Sequence, residues 1–248
     1  YDPRSKNTLT TIKNQFQTGT CWAFAALSCT ESNLIQKGLE NQNVQFSVPS
    51  LALSTYANGG FDESIWDCGG TWMDSSLAMA AHRGLCYDEY EPFVSDGTEA
   101  TIVSEEKKGV CEYQLNYAST ITGGRNAIKN KIKELGGVMV SYYADDLYMT
   151  FDNKSYYDPE TTKYSGINHA VSVVGWDDNY SKSNFLAGYQ PKKNGAWLVK
   201  GSWGVSGGTD GYYWISYEEA EMTDWVAFDL TESCDNCLLY TSPSPRDS

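Results

Sequence analysis

Gln15-Phe16-Gln17-Thr18-Gly19-Thr20-Cys21-Trp22-Ala23-Phe24-Ala25 sets a cysteine at the head of an apolar run, six residues after a glutamine. The apolar positions Phe24, Leu27, Cys29, Leu34 and Ile35 predict a helix from Cys21 to about Gln36. A helix N-terminus carries partial positive charge and unpaired N–H groups, so it favours thiolate over thiol. With the Gln15 amide and the Cys21 backbone N–H as donors, the segment can hold the oxyanion of a tetrahedral intermediate.

Such a thiol needs a base, and the chain holds two histidines, His82 and His169. His82 stands in Met79-Ala80-Ala81-His82-Arg83-Gly84, at the end of an expected helix, where a C-terminal cap accounts for it. His169 stands in Gly166-Ile167-Asn168-His169-Ala170-Val171-Ser172-Val173-Val174-Gly175-Trp176, at the entrance of an apolar strand. Alone it would read as a satisfied structural imidazole. Beside the Gln15-to-Cys21 motif it becomes the base.

These two motifs, with Trp197-Leu198-Val199-Lys200-Gly201-Ser202-Trp203-Gly204 and Asp210-Gly211-Tyr212-Tyr213, make the chain resemble the papain-like cysteine peptidases. More narrowly it resembles the bacterial secreted members that often carry a lectin-like domain after the protease. The resemblance covers about residues 1–230. It implies an α+β, papain-like two-lobed fold, with a helical lobe over about 12–119 and an antiparallel, β-barrel-like lobe over about 120–230 joined by the N-terminal arm. It also implies a cysteine-type endopeptidase whose catalytic residues are Cys21, His169 and Gln15. Gly69, Gly70, Thr71, Trp72, Asn168 and Trp203 would bind substrate, the glycine pair by letting an extended peptide backbone approach. The expected partners are protein or peptide substrates, in a secreted or cell-surface setting, without any cofactor.

The chain departs from that pattern where an asparagine is expected before Ser-Trp-Gly, for it has Gly201. In relatives that amide orients the imidazole. The departure implies reduced activity or a catalytically inactive peptide-binding homologue. It also implies a gain on restoring asparagine, provided that the strand has not moved into the vacant volume.

Composition agrees with a folded enzyme. At 248 residues the chain can bury a substantial core. A net charge of −14 argues against nucleic acid and anionic membrane surfaces, which attract basic patches. No apolar run reaches the length of a membrane span. Apart from Cys21, the cysteines are Cys29, Cys68, Cys86, Cys111, Cys234 and Cys237. Cys29 reads as a small core residue, and Cys86 with Cys111 is the favoured bridge across an acidic loop-like stretch. Cys234-Asp235-Asn236-Cys237 lacks the second ligand pair of a zinc site, and Asp177-Asp178-Asn179 lacks the spacing of a calcium loop. No metal is expected.

Further along, helices are expected after Ser47-Val48-Pro49-Ser50, over Trp72 to Ala81 and over Ala127 to Leu135. Strands are expected over Val138–Tyr143, Ala170–Val174, Ala196–Lys200 and Tyr212–Ser216. The start at Tyr1-Asp2-Pro3-Arg4 reads as a mature N-terminal arm, and residues 231–248 read as a disordered or non-native tail resembling translated adapter sequence. On this reading the natural chain would run on, into the lectin-like domain that the resemblance implies.

Overall fold

The computed structural model describes residues 1–56, 69–80, 85–90, 92–93, 112–160 and 166–233. Helix α1 (Cys21–Lys37) is buried on every side from Trp22 to Leu34, which is why its sequence shows apolar and small residues all round rather than a single stripe. Helices α2 (Val48–Tyr56) and α3 (Trp72–Ala80) lie beside it, and α4 (Gly124–Leu135) covers the sheet elsewhere. The α3 start is a capping arrangement: Thr71 N–H and Oγ1–H both donate to Asp74 Oδ2 at 2.7 Å.

The strands are β1 (Tyr113–Thr120), β2 (Val138–Tyr142), β3 (Ser155–Tyr156), β4 (His169–Asp177), β5 (Ala196–Lys200), β6 (Tyr212–Ser216) and β7 (Thr223–Glu232). They form one sheet in the order β1-β7-β2-β4-β5-β6-β3, antiparallel except for the short β3–β6 pair. β1 pairs along its length with β7, from Tyr113↔Glu232 to Thr120↔Val226, so the sheet begins at Tyr113 rather than near residue 120.

Strand alternation divides the interior in two. Met139, Ala170, Val226, Phe228 and Leu230 face α1, α2 and α3, forming one core with Trp22, Leu27 and Leu34. Val138, Val140, Tyr142, Val171, Val173, Trp197, Val199, Tyr213 and Ile215 face the other way, in a core with Ile128 and Ile132 of α4. The central strands β2, β4 and β5 are therefore almost wholly buried. Tyr1 is tied to the sheet by two backbone hydrogen bonds of 2.9 Å with Trp176, and its ring stacks on that indole. Among the described residues no helix is long and apolar enough to cross a membrane, and no cluster of His, Cys, Asp and Glu is able to hold a metal ion.

Candidate active site

The N-terminus of α1 meets the first residues of β4, and this contact assembles the site. The Cys21 sulfur lies close enough to the backbone N–H groups of Ala170, Trp22 and Cys21 for these to favour its thiolate, which puts the thiol near the residue that follows His169. Both residues were expected there from their motifs. His82 lies outside the described residues.

His169 is 6% exposed and is enclosed by aromatic rings. Trp203 stacks on it with centroids 4.6 Å apart and planes 11° from parallel, and Tyr142, its register partner on β2, meets it edge-on at 5.8 Å. Its Nε2 has no hydrogen-bond partner among the described residues. Burial therefore pushes the imidazole down to about 4 and pushes the Cys21 thiol up, the three N–H groups opposing the latter only in part. Both directions favour a neutral thiol beside a neutral imidazole. The helix N-terminus and the mutual attraction of a charged pair pull the other way, but here desolvation is the largest influence on each group.

Gln15 is 6% exposed and fixed at both ends of its amide. Its Oε1 accepts from Ser202 Oγ at 2.6 Å, its Nε2 donates to the Thr18 carbonyl at 2.8 Å, and its backbone N–H donates to the Ser202 carbonyl at 2.7 Å. A primary amide has two N–H donors, so one remains for an oxyanion. The bridge between Asn14 and Trp203 extends the same seam, which fastens the Gln15 loop to the Gly201-to-Gly204 segment.

The remaining expected residues divide by what they touch. Gly70 lies on Trp22: a Cβ at that position would come within 2.3 Å of the indole, so close packing already requires glycine there. Gly69 is exposed, with open space where a side chain would be. Thr71 caps α3, and Trp72 is half-buried against the helical core. The Asn168 amide clips Ala144, accepting from its N–H at 2.6 Å and donating to its carbonyl at 2.8 Å. Gly70→Ala is expected to force Trp22 to move and lower the melting temperature by several degrees, as overpacking of a close contact does. A melting temperature within one degree of the parent's, read by thermal unfolding, would mean that the indole yields freely.

Sequence reasoning missed a buried polar network that fastens α1 to β5. Glu31 accepts from Thr10 Oγ1 at 2.6 Å, Lys13 Nζ at 3.3 Å and Phe46 N–H at 3.0 Å, while Lys200 Nζ donates to the same Thr10 hydroxyl at 2.7 Å. Burial holds Lys200 down to about 8. A charged residue in the otherwise apolar and small stretch of α1 was the available signal. Cys29 is buried as expected, with Sγ 3.3 Å from Ser172 Oγ. The expected partner of Cys86, Cys111, lies outside the described residues, as does the tail beyond Ser233.

The sequence profile of the papain family cysteine proteases matches residues 1–229, and the chain belongs to that family. It is 29% identical to rat (Rattus norvegicus) procathepsin L over 224 residues, 87% of this chain and 59% of that protein. It is 28% identical to mouse (Mus musculus) cathepsin K over 212 residues, 85% of this chain and 57% of that protein. Among solved structures, the cysteine protease and lectin-like domains of Cwp84, a surface layer associated protein of Clostridium difficile, superpose with a TM-score of 0.82 at 30% identity. That match covers 95% of this chain and 52% of the other. The chain thus spans little more than half the length of these relatives.

Proposed function

We propose that the protein is a cysteine endopeptidase in which Cys21 is the nucleophile and His169 the general acid and base. The observation that carries this reading is the packing of α1 on β4, which brings the Ala170 N–H near the Cys21 sulfur and so the imidazole-bearing end of β4 to the head of α1. The imidazole takes the thiol proton as sulfur bonds to the peptide carbonyl carbon. The oxyanion forms against the Cys21 N–H and the free N–H of the Gln15 amide. Collapse breaks the C–N bond, His169 gives its proton to the leaving amine, and an acyl-enzyme remains. Water, deprotonated by the same imidazole, then attacks the thioester and releases the acid and the thiol.

Because His169 protonates the leaving amine, the leaving side of the peptide lies toward Trp203. A cleft of about 720 Å³ opens there, lined by Leu147, Met149, Phe151, Leu186, Trp203 and Tyr213. Gly69 and Gly70, with Thr71, Trp72 and Asn168, would border the acyl side. The substrate class is proteins or peptides. By likeness to Cwp84 the setting is secreted or cell-surface, with a lectin-like domain beyond these residues.

A second reading, a peptide-binding homologue with little or no turnover, is favoured by Gly201 and the unpartnered Nε2 of His169. An active-site epoxide separates the two. Stoichiometric labelling at Cys21 with cleavage of peptides supports the enzyme, and labelling without cleavage supports the binder. Gln15→Ala is expected to keep the labelling and slow turnover by roughly 10 to 1,000 fold, the scale of one lost oxyanion donor. Unchanged turnover would remove Gln15 from the site.

A further inference from the structure

A Cβ on Gly201 would lie 3.3 Å from Tyr213 Cε1 and 3.1 Å from the Gly211 carbonyl oxygen. A side chain at position 201 would therefore begin in tight contact with the Tyr213 ring. That ring is nearly parallel to Trp203, with centroids 6.0 Å apart and planes at 12°, and Trp203 is in turn stacked on His169. Tyr142 meets His169 edge-on, and its hydroxyl is 3.0 Å from that of Tyr213. The contacts close a circuit running His169, Trp203, Tyr213, Tyr142 and back to His169. Tyr142 and Tyr213 are 0% and 2% exposed, so both rings are closely packed by their neighbours.

We propose that Tyr213 is a positioning residue for His169, filling the volume that Gly201 vacates and holding the imidazole through Trp203 and Tyr142 in place of an asparagine amide. This rests on the peptidase reading above. An amide fixes the ring by one directed hydrogen bond, whereas the aromatic circuit fixes it sterically, since turning the imidazole would unstack it from Trp203 and drive it into Tyr142. The two devices differ in one chemical respect. An amide oxygen accepts from Nε2–H and so stabilises the imidazolium, while packing orients the ring and leaves its charge unsupported. The low pKa of His169 has the same origin. Residues 201 and 213 are then a coupled exchange: glycine at 201 admits tyrosine at 213, and asparagine at 201 requires a smaller residue at 213.

The expectation that restoring asparagine alone raises activity is therefore reversed. Gly201→Asn places its Cβ against the Tyr213 ring and the Gly211 carbonyl, and turnover is expected to fall about 10 fold or more. The test is kcat and KM for peptide hydrolysis, and the rate of Cys21 alkylation, each across pH 4 to 9, in Gly201→Asn, Tyr213→Val, Tyr213→Phe and the Gly201→Asn/Tyr213→Val double variant. Thermal unfolding accompanies each variant.

Tyr213→Val is expected to lower kcat about 10 to 100 fold with KM within about threefold, the pattern of a mispositioned base. Tyr213→Phe keeps the ring against Trp203 and loses the hydroxyl contact with Tyr142, so its loss should be clearly smaller than that of Tyr213→Val. The double variant should recover at least the parent's rate, with its acid limb moved up by about one pH unit because the new amide supports the imidazolium. Higher turnover in Gly201→Asn with Tyr213 intact would overturn the proposal. So would an unchanged kcat in folded Tyr213→Val, a double variant no better than either single one, or equal losses in the Phe and Val variants. Alkylation reports the positioning of His169 even when no peptide is cleaved, so failure of the peptidase reading is told apart from failure of this one.

Discussion

Cys21→Ala is expected to bring peptide hydrolysis to the background rate and to remove epoxide labelling, while the protein stays folded. In the proposed mechanism the sulfur bonds to the carbonyl carbon, and alanine offers no substitute at the head of α1. Folding should survive because the side chain is half-buried and only one heavy atom is lost. Water can then reach the N–H groups of Ala170, Trp22 and residue 21. A destabilisation of about 1 kcal/mol corresponds to roughly 2 to 4 °C in melting temperature for a chain of this size. Peptide cleavage at the parent's rate by the alanine variant would sink the assignment. Because burial raises the thiol pKa, alkylation of the parent by a neutral reagent should climb with pH beyond the range of an ordinary exposed thiol.

His169→Gln should lower turnover by roughly 10² to 10⁴ fold, the contribution of a positioned general acid and base. The same substitution should change the acid stability of the fold. His169 is held at about 4, against 6.5 for an unperturbed histidine, so between these values the unfolded chain binds a proton that the folded one refuses. The contribution is present above pH 6.5 and is lost as pH falls through 4, on the order of 3 kcal/mol in all. Glutamine does not titrate, so the variant should lose less stability than the parent between pH 7 and pH 4. Glu219 acts in the opposite sense. Burial raises it to about 7, so its stabilising share is present below 4.5 and lost as pH rises through 7. It is common to both proteins and cancels in their comparison. Denaturant unfolding at both pH values decides the matter: an equal decline in parent and variant would show that His169 does not titrate as its burial demands.

Elements with strong local signals are legible in the sequence. The β5 and β6 limits, Ala196–Lys200 and Tyr212–Ser216, match the expected ones, and α1 and α3 end within one residue of expectation. What escaped was β1, β7 and the two-residue β3. In β7 the core-facing Val226, Phe228 and Leu230 alternate with Ala227, Asp229 and Thr231, a genuine period of two diluted by acidic residues. Asp229 belongs there because Asn116 Nδ2 donates to its Oδ2 at 2.8 Å and Lys37 pairs with it, partners that no local window reveals. For the site, Cys21, His169 and Gln15 could be named because each sits in a short motif. The aromatic circuit could not, since Tyr142, Trp203 and Tyr213 come from three separate strands or loops and their meeting depends on register.

The sheet order carries a consequence for biosynthesis. β7, the last of the described strands, lies between β1 and β2, second from one edge of the sheet, so among the described strands β1 has no partner until Thr223–Glu232 has emerged from the ribosome. Before then the Val226, Phe228 and Leu230 layer is missing from the core against which α1 rests. Pairings as distant in sequence as Tyr113 with Glu232 close late and slowly, because the loop entropy must be overcome before the contact repays it. Cys21 is made well before His169, yet the core that supports α1 and β4 is incomplete until β7 is inserted. On the proposed reading, a nascent chain of this kind would cleave no peptide until β7 is in place.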